Sequence, residues 1–558
     1  MIFLLIVNTR TAQLRACSEL NNEVKIMDKY VITRKYFDGY SIHNSDHVFV
    51  IKNGIISENY DMNEGSIKYL KGRGQVLDLR NKFVTPGLID SHNHFTLTSL
   101  KLKYQVNFAG VRSFPEFIEL LENNRNKIIH DWFQGYAINE YDMEEKQLPD
   151  RLVIDGVFPD IPVFITQMTE HYAVCNSRAL ELAGITKNTE SPPNGKIGRY
   201  ENGEPNGILY EANAMDLVKK IIPEYNVDDY ITAIKLGAEQ YKDNGISTVK
   251  DMGGTGNDVN EEIRVAALNK LSEEGNLELR IALVLPVYSV KDVKGKIQLW
   301  KQVHENDRLK FSGFKMFMDG SILSRTAWMR NNYAKPENTE NKGIPLWDIE
   351  NFRNALEILS QTGQHISIHT IGDRAIVTAL DVIEDIKSHG KSSTYTLVHC
   401  YKLDKDIIRR IKEMEVGVET QLAFIHFIGD GLTENIGNDQ SKCLFPVKTL
   451  MMNNIPVSNG SDSPVTPFNP VYGLYSSIFR KTYTGKHTEI YNGKEELNME
   501  ETLKTYTSQS SLTIEWDKVG ILGNNHFSDF SVWDNNPSVL GNKLDSWLNM
   551  KINAVSLH

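Results

Sequence analysis

Cysteine is scarce in this chain and scattered where it occurs. Cys17, Cys175, Cys400 and Cys443 are the 4 cysteines of 558 residues, and no two form a CxxC pair. That spacing argues against a disulfide framework and a thiolate zinc site, and it fits the reducing cytoplasm. Long apolar runs are missing too: no stretch approaches the roughly 20 residues that a membrane-spanning helix needs, so no membrane partner is expected. The apolar residues 2–7 (IFLLIV) have no cationic segment before them and are shorter than a signal-peptide core of about 7–15 residues. No export signal is read there. Met27 stands as an alternative start, residues 1–26 then being an extension. A basic block is also absent. With 61 Lys and Arg against 72 Asp and Glu, the formal charge is −11, and nucleic acid, which wants clustered cations, is not an expected partner.

What is present is an ordinary globular composition, 41% hydrophobic and 24% charged, in a chain too long for one common domain. From about residue 30 to 83, short apolar runs alternate with turns, and Asn53-Gly54 between two of them signals a hairpin. KVGILG and SDFSVWD near the C-terminus have the same style. Both ends therefore predict one small β domain built from the two termini. Between them, apolar runs alternate with helical patterns, which predicts βα units. Eight strand candidates stand out: LIDSHNH, STVKDM, LRIALVLPV, GFKMFMDG, HISIHTIGD, TLVHCY, GVETQL and PVSNGSDSP. The expected fold is α/β, a (β/α)8 TIM barrel with a small β-sandwich domain from both termini. The gap after the first candidate is too long for one βα unit, so residues from about 97 to 240 are read as an inserted subdomain over the barrel mouth. The division is then 1–85, 86–500 and 501–558, the last holding the final barrel helix and the second part of the β domain.

Active sites of such barrels sit at the C-terminal strand ends. Strand one ends in His92-Asn93-His94, whose alternate side chains can face the axis together; neutral imidazole suits zinc, iron or nickel. Alone, such a pair is a weak signal and more often two surface histidines in a loop. Strand four buries Lys315 among Phe314, Met316 and Phe317, costly unless the amine is paired, for example with Asp319, snorkels, or is chemically altered. Strands five, six and eight end in His369, His399 and Asp462. Each singly reads as a satisfied buried group or a cap. Together they place metal-ligand types at five strand ends in order.

These segments, with PVFITQMTEHYAVCNSRALELAGI and NGSDSPVTPFNPVYGLYSSIFRK, resemble the amidohydrolase superfamily, in the branch of N-substituted formamide deformylase-like hydrolases. The resemblance runs from about residue 45 to 535. It implies that His92 and His94 bind one divalent metal, zinc by preference, and that His369 and His399 bind a second. Lys315, carboxylated by carbon dioxide, would bridge the two, and Asp462 would contact the first metal and act as general base. A single ion is the alternative. His171 matches a histidine of the inserted region that reaches substrate in this branch, so it counts with Asp462 and Lys315 among the catalytic candidates; a structural role is equally open. Asp319, Ser321 and Arg325 either line the pocket or brace the strand-four loop. Gln421, ending strand seven, is a further substrate-binding candidate. Asp373 and Arg374 are read as a local ion pair, and Trp132 and Tyr136 as an apolar wall or as core. The chain departs from the branch at Leu422, where proline is usual, at Thr169-Glu170 before His171, and in the turn from Gly523 to Asp529. The expected reaction is hydrolysis of a carbon–nitrogen bond, an amide or N-formyl or N-acyl group, in a small molecule. Ester or lactone hydrolysis, isomerisation, and a non-catalytic binding protein are the alternatives. The branch often forms homodimers.

Overall fold

The computed structural model describes residues 28–557 apart from 63–69, 71–73, 169–170, 255, 257, 335–339, 391–392 and 492. The readings of residues 2–7, of Met27 as a start and of Thr169-Glu170 lie outside the described residues.

Eight parallel strands form the centre: β1 (Leu88–Asn93), β2 (Ile246–Asp251), β3 (Arg280–Pro286), β4 (Leu309–Phe317), β5 (Ile366–Thr370), β6 (Tyr395–His399), β7 (Gly417–Thr420) and β8 (Val457–Asn459). They pair in chain order from β1 to β8. Each coincides with one of the eight apolar runs. The reason is visible in β3, RIALVLP, where every residue is buried: a parallel strand covered on both faces carries a continuous apolar run. Among the described residues no ladder pairs β8 with β1; just past the strand ends the two are joined by Asp462 N–H to the His92 carbonyl (2.7 Å) and His94 N–H to the Ser463 carbonyl (2.8 Å). Gly460 permits that approach. A Cβ there would lie 2.6 Å from the His92 backbone nitrogen and oxygen.

The insertion follows β1 and the helix Phe95–Tyr104. It is a six-stranded mixed sheet spanning residues 105–210 with its own cores. The chain returns through helix Val227–Lys242, started by a capping box between Asn226 and Asp229. The β domain takes Lys29–Phe37, Ile42–Lys52, Ile55–Asp61, Gln75–Asp78 and Phe83–Pro86 from one end of the chain and Asp529–Trp533 and Ile552–Ser556 from the other, seven strands in one sheet. The sheet forks at a bulge between Thr33 and Lys35: the first half of the opening strand pairs with Gln75–Asp78, the second with Phe83–Pro86. Asn53 (φ 51) and Gly54 (φ 75) make the hairpin turn. The β domain joins the barrel base through Arg280 at the start of β3, which is fully buried and ion-paired with Asp529. Among the described residues no helix is long and apolar enough to cross a membrane.

Candidate metal centre

The strand ends converge on one buried cluster. His92 is the penultimate residue of β1, with 0% exposure, and His94 follows the strand as the residue before the next helix. Asp462 lies three residues beyond β8, not on the strand, and its left-handed backbone (φ 55) turns its carboxylate back to β1. One oxygen, Oδ1, lies 3.4 Å from both His92 Nε2 and His94 Nε2. The ring of His399 is 5.2 Å from that of His92 and 4.5 Å from that of His369. Lys315 on β4 is 1% exposed, its ammonium 5.3 Å from the Phe317 ring centre.

Hydrogen bonds assign the ring nitrogens. Nδ1 of His92 faces Glu419 Oε2 (3.3 Å), Nδ1 of His94 the Gly253 carbonyl (2.7 Å) and Nδ1 of His399 the Gln421 amide oxygen (2.7 Å). Nε2 of His369 faces the Gly320 carbonyl (3.2 Å). An acceptor fixes the proton on the nitrogen it meets, so the opposite nitrogen carries a lone pair. His92, His94 and His399 keep Nε2, and His369 keeps Nδ1. Burial lowers the pKa of His92, His369 and His399, that of His369 to about 3, which keeps those rings neutral. Burial also acts to raise the Asp462 carboxyl, but the facing imidazoles hold it well below its ordinary value.

These residues fit a divalent cation. The ligand atoms of His92, His94 and Asp462 lie within 4.8 Å of one another. The buried His92 Nε2 has no hydrogen-bond partner. Its 3.4 Å separation from the carboxylate exceeds the roughly 2.7–2.9 Å of a charge-assisted hydrogen bond. Two lone pairs and an anionic oxygen converging in a dry site suit a cation between them.

Other predicted residues separate into two groups. Gln421 belongs to the cluster: its oxygen holds His399, and its buried Nε2 has no partner. Asp319 braces the strand-end loops instead. It accepts backbone N–H bonds from Trp328, Ile371 and Gly372, so the salt bridge to Lys315 does not form. Burial nonetheless pushes its carboxyl up to about 7. Ser321 caps its own turn by accepting from Leu323 N–H, and Arg325 Nε bonds the Asn435 side chain (2.7 Å). The expected Asp373–Arg374 ion pair is absent. Asp373 pairs with Lys402 at 2.8 Å, while Arg374 stacks on Trp328, because successive residues on a helix diverge by about 100°. His171, half-exposed, pairs with Glu211 in the insertion sheet (2.9 Å). Trp132 lies in an insertion core, and Tyr136 is half-buried under Lys101.

Three buried residues were not singled out from the sequence. Asp90 ties β1 to the β8 end through the Ser461 N–H (2.8 Å) and hydroxyl (2.6 Å). Glu419 on β7 and Lys250 on β2 form an ion pair inside the barrel with 0% side-chain exposure. The signal was there, as single charges inside the apolar runs GVETQL and STVKDM.

Residues 75–544 match the model of the amidohydrolase family. The chain is 27% identical over 499 residues to the putative amidohydrolase YtcJ of Bacillus subtilis, covering 87% of this chain and 90% of that protein. It is 24% identical over 446 residues to N-substituted formamide deformylase of Arthrobacter pascens, covering 78% and 80%. The fold superposes on an uncharacterized metal-dependent hydrolase from Pyrococcus horikoshii with a TM-score of 0.75 at 24% identity, over 92% of this chain and 98% of that one. The chain belongs to the amidohydrolase family and is a hydrolase of that family.

Proposed function

We propose that this enzyme hydrolyses a carbon–nitrogen bond, an amide or an N-formyl or N-acyl group, in a small molecule. Zinc, one ion or two, would be held by His92, His94, His369, His399, Asp462 and a carboxylated Lys315. The observation that carries this reading is the four-fold imidazole pattern. Each ring spends one nitrogen on an acceptor and keeps the other uncommitted within a cluster that includes Asp462. The Arthrobacter pascens relative is named as an N-substituted formamide deformylase, which supports the choice of bond.

Such an ion lowers the pKa of water and polarises a carbonyl. Asp462, held ionised, accepts the proton of the attacking water as its oxygen adds to the carbonyl carbon. It returns that proton to the departing nitrogen as the carbon–nitrogen bond breaks, leaving a carboxylic acid and an amine. The free amide N–H of Gln421 is placed to donate to the substrate oxygen. His171 stands outside the buried cluster and is assigned to substrate entry. Lys315 has a different task. Burial brings its ammonium down to about 7, so a large fraction is neutral amine near pH 7. That lone pair adds to carbon dioxide, an N–C bond forms and one proton leaves, giving a carbamate in place of a buried cation. Phe317 stacks with Tyr288 (5.4 Å) and faces His369 (5.7 Å), an aromatic wall for the apolar part of the substrate. Cys175, Cys400 and Cys443 are unpaired, in keeping with a cytoplasmic enzyme.

The test is metal analysis after metal-replete expression, followed by turnover on N-acyl amines, cyclic amides and lactones. We expect about one or two equivalents of metal and activity on the N-acyl amines. Less than about a tenth of an equivalent would refute the metal-dependent reading, and activity confined to lactones would refute the choice of bond.

A further inference from the structure

Beneath the cluster the barrel interior is polar. Lys250 on β2 and Glu419 on β7, 169 residues apart, meet in its middle, both completely buried. The Lys250 ammonium donates to Glu419 Oε1, to the Ser367 hydroxyl on β5 (3.0 Å) and to the Thr513 carbonyl (3.4 Å). Thr396 on β6 donates its hydroxyl to the same glutamate oxygen at 3.1 Å. The other oxygen, Oε2, faces His92 Nδ1.

Stability does not account for this pair. The middle of such a barrel is ordinarily filled by branched apolar side chains. A buried ion pair loses about as much in desolvation as it returns, and replacing it by apolar residues of similar volume is often neutral or stabilising. What the pair does supply is an anion of fixed position against one particular imidazole. We propose that Glu419 and Lys250 are positioning residues for His92. Glu419 holds the proton on Nδ1, so that Nε2 presents its lone pair beside Asp462, and it makes the ring a stronger donor to a cation. Lys250 acts at one remove, keeping the carboxylate pinned and charged while touching no member of the cluster. The assignment rests on the reading of His92 as a metal ligand.

The test is zinc affinity, measured by chelator competition on the full chain, for the wild type, Glu419→Asp and the double variant Lys250→Met/Glu419→Leu. Glu419→Asp keeps an anion opposite Lys250 but withdraws it from His92 by one methylene. The double variant removes both charges at nearly constant volume. Loss of such an outer partner typically weakens metal binding about 10–100-fold, and that loss is expected in both variants. The double variant should melt at or above the wild-type temperature without metal. Zinc affinity within about threefold of wild type in Glu419→Asp would overturn the assignment even if the double variant failed to fold. A wild type that binds no zinc would instead sink the metal reading, and the assignment with it.

Discussion

Arg264 offers a severe test of how the loop behind His94 is held. Its guanidinium, with 0% exposure, lies 3.0 Å from Asp251 Oδ2 and 2.8 Å, through Nε, from Glu261 Oε2. It also donates to the carbonyls of Val284 and Asp251. The two carboxylates in turn hold the loop after β2: Asp251 accepts from Gly253 N–H (3.2 Å), and Glu261 from Gly254 N–H (3.3 Å). The Gly253 carbonyl is the acceptor that orients His94. In Arg264→Met, two carboxylates buried side by side lose their shared cation. Removing one partner of a buried pair costs about 3–5 kcal/mol. With an unfolding entropy of about 2.1 cal/mol/K per residue, a cooperative unit of this chain's size has roughly 1.2 kcal/mol/K, so the melting temperature should fall by about 3–4 °C. Because the loop moves with its anchor, zinc affinity should fall as well. Glu261→Gln keeps the hydrogen-bonding shape and should lose less. Differential scanning calorimetry with chelator competition reads both effects. Arg264→Met melting within about 1 °C of wild type and binding zinc normally would refute the reasoning.

Asp462→Asn should retain metal while turnover falls by about 10²–10⁴-fold, the usual range for a lost proton-transfer group; a wild-type rate would remove Asp462 from the base role. Gln421→Leu frees the His399 ring and removes the free amide donor, so both zinc affinity and kcat/KM should fall; unchanged values would make Gln421 a packing residue. Asp529→Asn tests the joint between barrel and β domain. Burial acts to raise the Asp529 carboxyl, yet the Arg280 guanidinium holds it below its ordinary value. A carboxyl lowered in the folded state adds stability that is fully present above the unfolded pKa of about 3.9, and that stability is lost as pH falls through the lower folded value. The melting difference between wild type and Asp529→Asn should therefore be large at pH 7 and shrink below about pH 4. A pH-independent difference would contradict the ion pair.

The barrel was legible because its strands are buried on both faces. Continuous apolar runs such as LRIALVLPV at βα spacing fit parallel strands covered on both faces, and all eight runs are strands. The cluster residues were legible because strand C-termini share one end of a parallel barrel, so imidazoles and an aspartate at those positions must meet. What sequence could not supply was pairing across the barrel. Lys250 and Glu419 lie on non-adjacent strands, and only the closed ring of eight brings them together. Local pairing misled in the opposite sense: Asp373 and Arg374 are neighbours in the chain, but the helix directs them to Lys402 and Trp328. Asp319, near Lys315 in the chain, instead meets the backbone N–H groups of Ile371 and Gly372 just after β5 and of Trp328 in the loop after β4.

Backbone conformation carries the same lesson further. His399 (φ 72), Cys400 (φ 43) and Asp462 (φ 55) occupy the left-handed region without being glycine. Such a position costs of order 1–3 kcal/mol and persists only where the surroundings over-determine it. At the end of β6 that turn lets His399 meet the Gln421 amide and the His369 ring at once. After β8 it carries Asp462 N–H onto the His92 carbonyl, so the bond that closes the barrel also sets the carboxylate beside His92 and His94. Relaxing either residue into extended backbone would aim its side chain elsewhere and break up the cluster around His92. Barrel closure and assembly of the cluster are therefore one event, and substitutions that loosen the seam between β8 and β1 should weaken metal binding before they unfold the barrel.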